Sequence, residues 1–150
     1  MNRDIMFSHA NEDWETPQEI FDSLNSLYHF TLDAAAADDN YKCEKHYTAT
    51  DSGLNHSWGG ETVWLNPPYG RQLKQWVRKA WEESQKPGTK VVLLLPARTD
   101  TKWFHDYCMK GICIFIKGRL YFGRNGWTGR APFPSLICIF EEEKQNETMP

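Results

Sequence analysis

The segment Asn66-Pro67-Pro68-Tyr69 combines groups that could activate an exocyclic amino group for nucleophilic attack. The lone pair of such an amine is delocalised into the adjoining π-system, so a site that accepts hydrogen bonds from both N–H groups favours a more nucleophilic, tetrahedral nitrogen. The Asn66 side-chain carbonyl is one acceptor, and the Pro67 backbone carbonyl is a second, held rigidly by two prolines. Tyr69 offers a flat ring for stacking a planar base, a contact of about 1–3 kcal/mol. This chemistry needs no metal.

The same segment has a structural interpretation. Asn-Pro and Pro-Pro dipeptides mark turns, so a polar turn between a strand and a helix is the alternative. The position of the segment favours chemistry, because it follows the apolar run Val63-Trp64-Leu65. That run predicts a strand, and sites in α/β sheets open at the carboxyl ends of strands.

The elements that must hold this segment include three predicted helices. Thr16-Pro17-Gln18-Glu19 is a capping box with proline at the first helical position, which predicts a helix start. A short helix is predicted over Thr101–Met109. Another follows the motif and ends at Pro87-Gly88, because five apolar residues recur at helical spacing: Leu73, Trp76, Val77, Ala80 and Trp81.

Five strands are predicted between these helices. They are Phe30–Leu32 ending at Asp33, Thr62–Leu65, Val91–Leu95, Ile112–Ile116 and Leu136–Phe140. Alternating strands and helices predict an α/β sheet, and the last two strands, which lack an intervening helix, predict an antiparallel C-terminal edge. The length of 150 residues fits one domain over 1–150, with loose ends at 1–10 and 141–150.

Charge and hydropathy narrow the class of protein. A net charge of −3 argues against a general nucleic-acid coat protein. The sequence has no apolar run of transmembrane length and no charged-then-apolar leader, so a soluble cytoplasmic protein is expected. Cys108, Cys113 and Cys138 are expected to be reduced core thiols, and Cys43 with His46 lacks the second ligand pair of a zinc site.

Basic residues concentrate near the end of the chain. There is no acidic residue between Asp106 and Glu141, where aromatic residues and glycines are interleaved with five cations: Lys110, Lys117, Arg119, Arg124 and Arg130. This pattern suits a mobile loop over residues 118–133 that holds phosphates and stacks bases. An ordinary solvated loop is the alternative.

Three motifs in order carry a resemblance to a known family. With Thr16-Pro17, Leu32-Asp33 and Asn66-Pro67-Pro68-Tyr69, the chain resembles S-adenosylmethionine-dependent amino methyltransferases. More narrowly, it resembles the small phage-type DNA N6-adenine methyltransferases. Three further stretches are similar to that family, and the likeness covers about residues 11–140: Asp13-Trp14-Glu15-Thr16-Pro17, Leu94–Thr101 and Lys117–Leu120.

The resemblance implies a reduced Rossmann-like methyltransferase sheet and a set of cofactor contacts. Trp14, Thr16 and Pro17 match the amino-terminal cofactor motif, where a helix N-terminus would face the methionine carboxylate. Asp33, followed by Ala34, matches the acidic position that meets the methionine ammonium. Asp51 resembles the residue that binds the cofactor's adenine amino group. Both aspartates are otherwise ordinary turn residues.

One departure from the family pattern affects the cofactor ribose. The usual glycine-rich turn after the first strand is replaced by Ala34–Ala37, and only 32 residues separate Asp33 from Asn66. Either Asp38 or Asp39 takes the ribose contact, or the cofactor pocket is abbreviated.

The resemblance therefore implies methyl transfer from S-adenosylmethionine to N6 of a flipped-out adenine in double-stranded DNA. Asn66, Pro67, Pro68 and Tyr69 would form the catalytic centre. N4-cytosine DNA methylation and protein-glutamine methylation use the same motif and stay open as alternatives, as does a non-catalytic DNA-binding or cofactor-sensing module. A short recognition sequence and a role in shielding phage DNA from restriction are implied by the family alone. Four residues would contact DNA phosphates: Arg71, Lys117, Arg119 and Arg124.

Overall fold

The computed structural model describes residues 17–124 and 127–143, and for residues 122–124 and 127–129 it describes the backbone alone. Helices and strands alternate through this part of the chain. The helices are α1 (Gln18–Tyr28), α2 (Leu73–Ser84) and α3 (Lys102–Asp106), with short 3-10 turns at Gly53–Asn55 and Cys108–Lys110. The strands are β1 (Leu32–Asp33), β2 (Thr62–Leu65), β3 (Lys90–Pro96), β4 (Ile112–Phe115), β5 (Tyr121–Arg124), β6 (Trp127–Arg130) and β7 (Ser135–Glu141).

Five of these strands form one sheet in the order β1-β2-β3-β7-β4. Strands β1, β2 and β3 are parallel, and Leu65 of β2 is in register with Leu93 of β3. Strand β7 runs antiparallel to both of its neighbours, β3 and β4. Strand β4 therefore points the same way as β1 to β3, and the carboxyl ends of all four meet at one edge.

The core lies on both faces of this sheet. Strands β3 and β7 are continuous apolar runs and are buried, as central strands covered on two faces should be. Helix α2 packs on them, with Trp81 edge-on to Phe140 at a ring distance of 5.4 Å. Phe21 of α1 packs edge-on against Trp64 of β2 at 5.5 Å.

The structure confirms the mixed α/β architecture and the five predicted sheet strands, with ends shifted by one or two residues. The antiparallel pairing of the last two is also confirmed, but β7 lies inside the sheet and β4 is its edge strand. Ile112, Ile114 and Phe115 of β4 are 56, 48 and 59% exposed. Strand β7 takes the inner position because its apolar residues from Leu136 to Phe140 are buried on both faces there.

The prediction of a loop over residues 118–133 is wrong about its backbone, because residues 121–124 and 127–130 form the two strands of a β-hairpin. Strands β5 and β6 pair antiparallel, with Tyr121 opposite Arg130 and Arg124 opposite Trp127. The sequence holds the signal that identifies this hairpin, the dipeptide Asn125-Gly126, which favours a two-residue turn. Those two residues lie outside the described part of the chain.

Helix α1 begins one residue later than the sequence predicts. Pro17 is the residue before the first helical position, and its carbonyl accepts hydrogen bonds from the backbone N–H groups of Ile20 and Phe21 at 3.1 and 3.3 Å. Thr16, the predicted capping residue, lies outside the described residues.

Candidate active site

The carboxyl ends of the parallel strands converge on one cleft. β1 ends at Asp33, β2 ends directly before Asn66, and the two strands are adjacent. The cleft has a volume of about 550 Å³, within the range of about 300–1,000 Å³ typical of small-molecule sites. The cleft is lined by residues of β1 and β2, by the segments that follow these strands, and by one residue of α2. They are Asp33, residues 35–40, Lys42, Thr48, Ala49, Trp64, residues 66–68 and Trp76.

The predicted amine-activating residues lie in this cleft. Asn66, Pro67 and Pro68 all line it. The hydroxyl group of Tyr69 donates to Oδ1 of Asn66 at 3.3 Å and reaches the carbonyl oxygen of Leu94 at 3.5 Å. These contacts connect the motif to the end of β3.

Tyr69 itself is held below the surface. Its side chain is 3% exposed and is not part of the cleft lining. Phe133 packs edge-on against it at a ring distance of 5.4 Å, and burial raises the pKa of the Tyr69 hydroxyl. The predicted stacking of a base on Tyr69 therefore requires the ring to be uncovered first, a condition that the sequence does not indicate.

Asp33 is a buried carboxylate directed at the cleft. Oδ2 accepts the backbone N–H of Lys42 at 2.9 Å, and Oδ1 accepts that of Ala35 at 3.4 Å. Burial raises the pKa of Asp33, while these two hydrogen bonds and the charges of Lys42 and His46 act in the opposite direction. A cation in the cleft would restore the charge balance of a carboxylate that burial disfavours.

The alanine run after β1 is a tight loop. Ala34 is fully buried behind the cleft and donates its N–H to the Trp64 carbonyl at 3.1 Å. It is not among the residues that line the cleft, although the resemblance implies that it contacts the cofactor. Its three successors do line it, and exposed Asp38 and Asp39 complete that wall. Either aspartate is placed where a ribose-binding carboxylate could act.

The structure does not bring Asp51 to this cleft. Asp51 is exposed, and its Oδ1 lies 2.8 Å from Nε2 of His56. Thr48 and Ala49 line the cleft in that region. A contact between Asp51 and the cofactor's adenine stays a prediction.

Trp76 is a lining residue that sequence reasoning missed, since helical spacing assigns it to the core of α2. It is 5% exposed, stacks near Trp58 at 6.5 Å, and lines the cleft. Within the described residues its indole N–H has no hydrogen-bond acceptor. A buried donor without a partner costs about 1–3 kcal/mol, and a ligand acceptor would remove that cost.

Of the predicted amino-terminal cofactor residues, Trp14 and Thr16 lie outside the described chain and Pro17 is half-buried before α1. Lys42 connects this helix to the cleft. Its ammonium donates to Oε1 of Gln18 at 2.7 Å, while its backbone N–H bonds Asp33. The start of α1 is therefore held close to the predicted ammonium site.

The predicted phosphate contacts are exposed at the same edge of the sheet. Arg71 follows the motif, and Lys117 and Arg119 follow β4. None of the three forms an ion pair with a carboxylate in the described part of the chain. Arg124 lies in β5, where the backbone alone is described.

Other candidate chemistry in the described residues is limited. No group of three or more His, Cys, Asp or Glu side chains there is arranged to hold a metal ion. Burial, with the charges of Asp33 and Glu61, raises the pKa of the Cys43 thiol to about 12. Among the described helices, none has the length and apolar character needed to cross a membrane.

Comparison with known proteins identifies the family. The family described as DNA N-6-adenine-methyltransferase (Dam) matches residues 6–149. The chain is 31% identical over 136 residues to the DNA N-6-adenine-methyltransferase of Haemophilus phage HP1 (strain HP1c1), covering 85% of this chain and 78% of that protein. It is 41% identical over 95 residues to the protein of the same name from Escherichia phage T1, covering 62% of this chain and 39% of that protein.

A third relative, the putative methyltransferase YfdM of Escherichia coli (strain K12), is 40% identical over 67 residues, covering 40% of this chain and 74% of that protein. The family match spans nearly the whole chain. Asn66, Pro67 and Pro68 of the motif that suggested the family line the cleft. The chain therefore belongs to the DNA N-6-adenine-methyltransferase (Dam) family, a family of adenine-specific DNA methyltransferases.

Proposed function

We propose that the protein transfers the methyl group of S-adenosylmethionine to N6 of an adenine that is flipped out of double-stranded DNA. One observation supports this most directly: Asn66, Pro67 and Asp33 line the same cleft. Asn66 and Pro67 are the proposed acceptors for the adenine amino group, and Asp33 is the proposed partner of the methionine ammonium. The cleft can then accommodate both the donor and the target amine.

The residues of the cleft fit S-adenosylmethionine. The buried carboxylate of Asp33 suits the methionine ammonium, and Asp38 or Asp39 suits the ribose hydroxyls. The unpaired indole N–H of Trp76 suits an acceptor on the nucleoside. When bound, this cofactor supplies an electrophilic methyl group on a sulfonium. Trp14 and Thr16 stay predicted contacts, as does Pro17.

The chain's own contribution is to bind and orient the adenine. Oδ1 of Asn66 and the Pro67 carbonyl would accept the two N6 hydrogens and so orient the nitrogen lone pair toward the donor methyl group. The new N–C bond would form as the methyl–sulfur bond breaks, and one N6 proton would then be lost to water. Such positioning can supply about 7–11 kcal/mol of rate enhancement. The Tyr69 hydroxyl also donates to Oδ1 of Asn66, which can accept two hydrogen bonds, so this contact can help to orient the amide. Flipping the base costs a few kcal/mol, which phosphate contacts and stacking on Tyr69 offset.

The sheet order supports a reduced Rossmann-like methyltransferase fold. Three parallel strands deliver the cofactor-binding and catalytic segments to one edge, and an antiparallel strand is inserted beside the last of them. The short connection from β1 to β2, which contains a 3-10 turn and one isolated bridge to β1 at His46, stands where a fuller fold would have further units.

Methyl transfer from labelled S-adenosylmethionine to unmethylated bacterial DNA tests the proposal, with nucleoside analysis for N6-methyladenine and N4-methylcytosine. We expect N6-methyladenine from the wild-type protein and none from Asn66→Ala, which should still bind the cofactor. N4-methylcytosine would shift the substrate to the alternative base. Label in added protein but in neither nucleoside would favour glutamine methylation instead.

A further inference from the structure

Arg98 lies in a short rigid segment at the carboxyl edge of the sheet, next to the catalytic motif. It comes two residues after the end of β3, the strand adjacent to β2. Its backbone N–H donates to the Pro96 carbonyl at 2.8 Å, and its carbonyl accepts the Thr101 hydroxyl at 2.7 Å. His105 Nε2 lies 2.7 Å from the Thr99 carbonyl oxygen. The backbone that carries Arg98 is therefore fixed on both sides.

This segment also joins the motif to the segment that follows the hairpin. The Ala97 N–H donates to the Pro134 carbonyl at 2.9 Å, and the neighbouring Phe133 packs against Tyr69. The positive charge of Arg98 acts to lower the pKa of Tyr69, although burial outweighs it and raises that pKa. The Arg98 guanidinium is thus close to the Tyr69 ring, which must be uncovered before a base can stack on it.

The charge of Arg98 is available to a ligand. The side chain is exposed, and in the described part of the chain it forms no ion pair. Exposed Asp100 is two residues away but is not within ion-pair distance of it. By contrast, exposed Arg78 on α2 is paired with Glu82 at 3.0 Å.

We infer that Arg98 binds a DNA phosphate beside the target adenine and so holds the flipped nucleotide in front of Asn66. This inference rests on the proposed function. An arginine presents a planar fork of N–H donors that matches phosphate oxygens in two hydrogen bonds, which fixes direction as well as distance. Arg98 differs in its role from Arg71, Lys117 and Arg119: it is a positioning residue that acts on the reacting nucleotide, whereas they contribute to overall affinity for DNA.

Single-turnover methyl transfer at saturating DNA tests this inference, beside DNA and cofactor binding measured separately. For Arg98→Ala we expect the transfer rate at saturation to fall about 10- to 100-fold, the effect of losing a hydrogen bond to a charged group. The salt dependence of DNA binding should weaken by about one phosphate contact. Arg98→Lys should recover part of the rate, since the charge is kept and the fork is lost. Cofactor affinity and the midpoint of urea unfolding should stay unchanged.

Two variants serve as controls. Arg78→Ala removes an exposed arginine that has a partner, and it should leave all these quantities unchanged. Arg119→Ala removes a predicted general phosphate contact and should weaken DNA binding, and Arg98→Ala should lower the rate at saturation by a larger factor than this control does. If Arg98→Ala behaves like either control, the positioning role is wrong. If the wild-type protein methylates no DNA, the proposed function itself fails, which is a separate outcome.

Discussion

The hydroxyl group of Tyr69 donates a hydrogen bond to Oδ1 of Asn66 over 3.3 Å. The aromatic residue of the motif thereby orients the oxygen that is predicted to accept a hydrogen bond from the substrate's amino group. The hydroxyl is nearly excluded from water, and among the described residues the Leu94 carbonyl lies 3.5 Å from it as a second acceptor. Because a carbonyl oxygen can accept two hydrogen bonds, the target amine can bind Oδ1 of Asn66 beside the Tyr69 hydroxyl or in place of it.

Removing the Tyr69 hydroxyl should therefore be tolerated better than removing the ring. Tyr69→Phe removes one hydrogen bond to Oδ1 of Asn66 and keeps the stacking surface, so we expect methyl transfer to be retained to within about fivefold, the scale of one neutral hydrogen bond. Tyr69→Ala should lower turnover far more, and the buried cavity should cost about 3–5 kcal/mol of stability. Single-turnover rates and urea unfolding check both. Equal loss of turnover in the two variants would show that the hydroxyl is essential.

Gly53 should be essential for the shape of the cleft. A Cβ at this position would lie 2.2 Å from the backbone oxygen of Ala34, directly behind the loop that follows Asp33. Gly53→Ala should therefore lower the free energy of unfolding by about 1–3 kcal/mol and weaken cofactor binding, measured by calorimetry. In the control Gly59→Ala, the nearest atom would be 3.4 Å away, and it belongs to the Ser57 side chain. Wild-type affinity in Gly53→Ala would contradict this packing.

Asp33 should give the fold a distinctive pH dependence. Burial raises the pKa of Asp33 above its ordinary value, so the folded protein binds a proton at this carboxyl group more readily than the unfolded chain does. The stability that this group contributes is present below the unfolded pKa and is lost as the pH rises through the folded pKa. The stability of the wild type relative to Asp33→Asn should therefore fall as the pH rises over that interval.

Urea unfolding of both proteins at a series of pH values measures this difference, and a difference independent of pH would rule out a raised pKa for Asp33. Cofactor binding should follow the opposite trend, because the ammonium is bound by the carboxylate form. Asp33→Asn should weaken cofactor binding at neutral pH, whatever its effect on stability.

Glu83 should hold the segment before β2 against α2. Its carboxylate accepts a hydrogen bond from the backbone N–H of Trp58 at 2.6 Å. It also accepts hydrogen bonds from the ammonium groups of Lys86 and Lys79 at 2.8 and 3.2 Å. Burial acts to raise the pKa of Glu83, but these contacts hold it below its ordinary value. Glu83→Ala should cost about 1–3 kcal/mol at neutral pH, because it leaves the buried Trp58 backbone N–H without its acceptor, while Lys79 and Lys86 keep access to water.

The matched control is Glu82→Ala, which removes an exposed pair with Arg78 and should leave the stability nearly unchanged, as exposed ion pairs usually contribute little. Since the folded pKa of Glu83 is lowered, its contribution should be lost as the pH falls through that value. Thermal unfolding at neutral and acidic pH checks the sign. A cost for Glu83→Ala that matches the control would show that these contacts are not stabilising.

Local patterns in the sequence were sufficient for most of the fold. The strand predicted from the apolar run Val91–Leu95 is observed as β3. The helix predicted from the spacing of Leu73 to Trp81 is observed as α2. The inner position of β7 was not predictable from such patterns. It depends on pairing between residues 90–96 and 135–141, and strand order between such distant segments leaves no local signal in a single chain.

The motif residues of the site were likewise predictable, because their chemistry requires those residue types. The burial of Tyr69 was not, since it depends on Phe133, which is 64 positions away in the sequence. Nor was the unpaired N–H of Trp76, because helical spacing alone does not separate a core residue from a lining residue. Asp51 shows the converse: a family position matched in sequence lies away from the cleft and beside His56.

The inner position of β7 also sets an order on assembly of the sheet. β4 pairs with β7, and the inner edge of β7 pairs with β3, so in the main sheet β4 has no other described partner. A ribosome-bound chain that has not yet released residues 135–141 cannot join β4 to the sheet, or fix Pro134 on the segment that carries Arg98. Synthesis of β7 is thus the step that completes the five-stranded sheet, and in a chain terminated before Ser135 the β4 strand should stay unpaired with the other three.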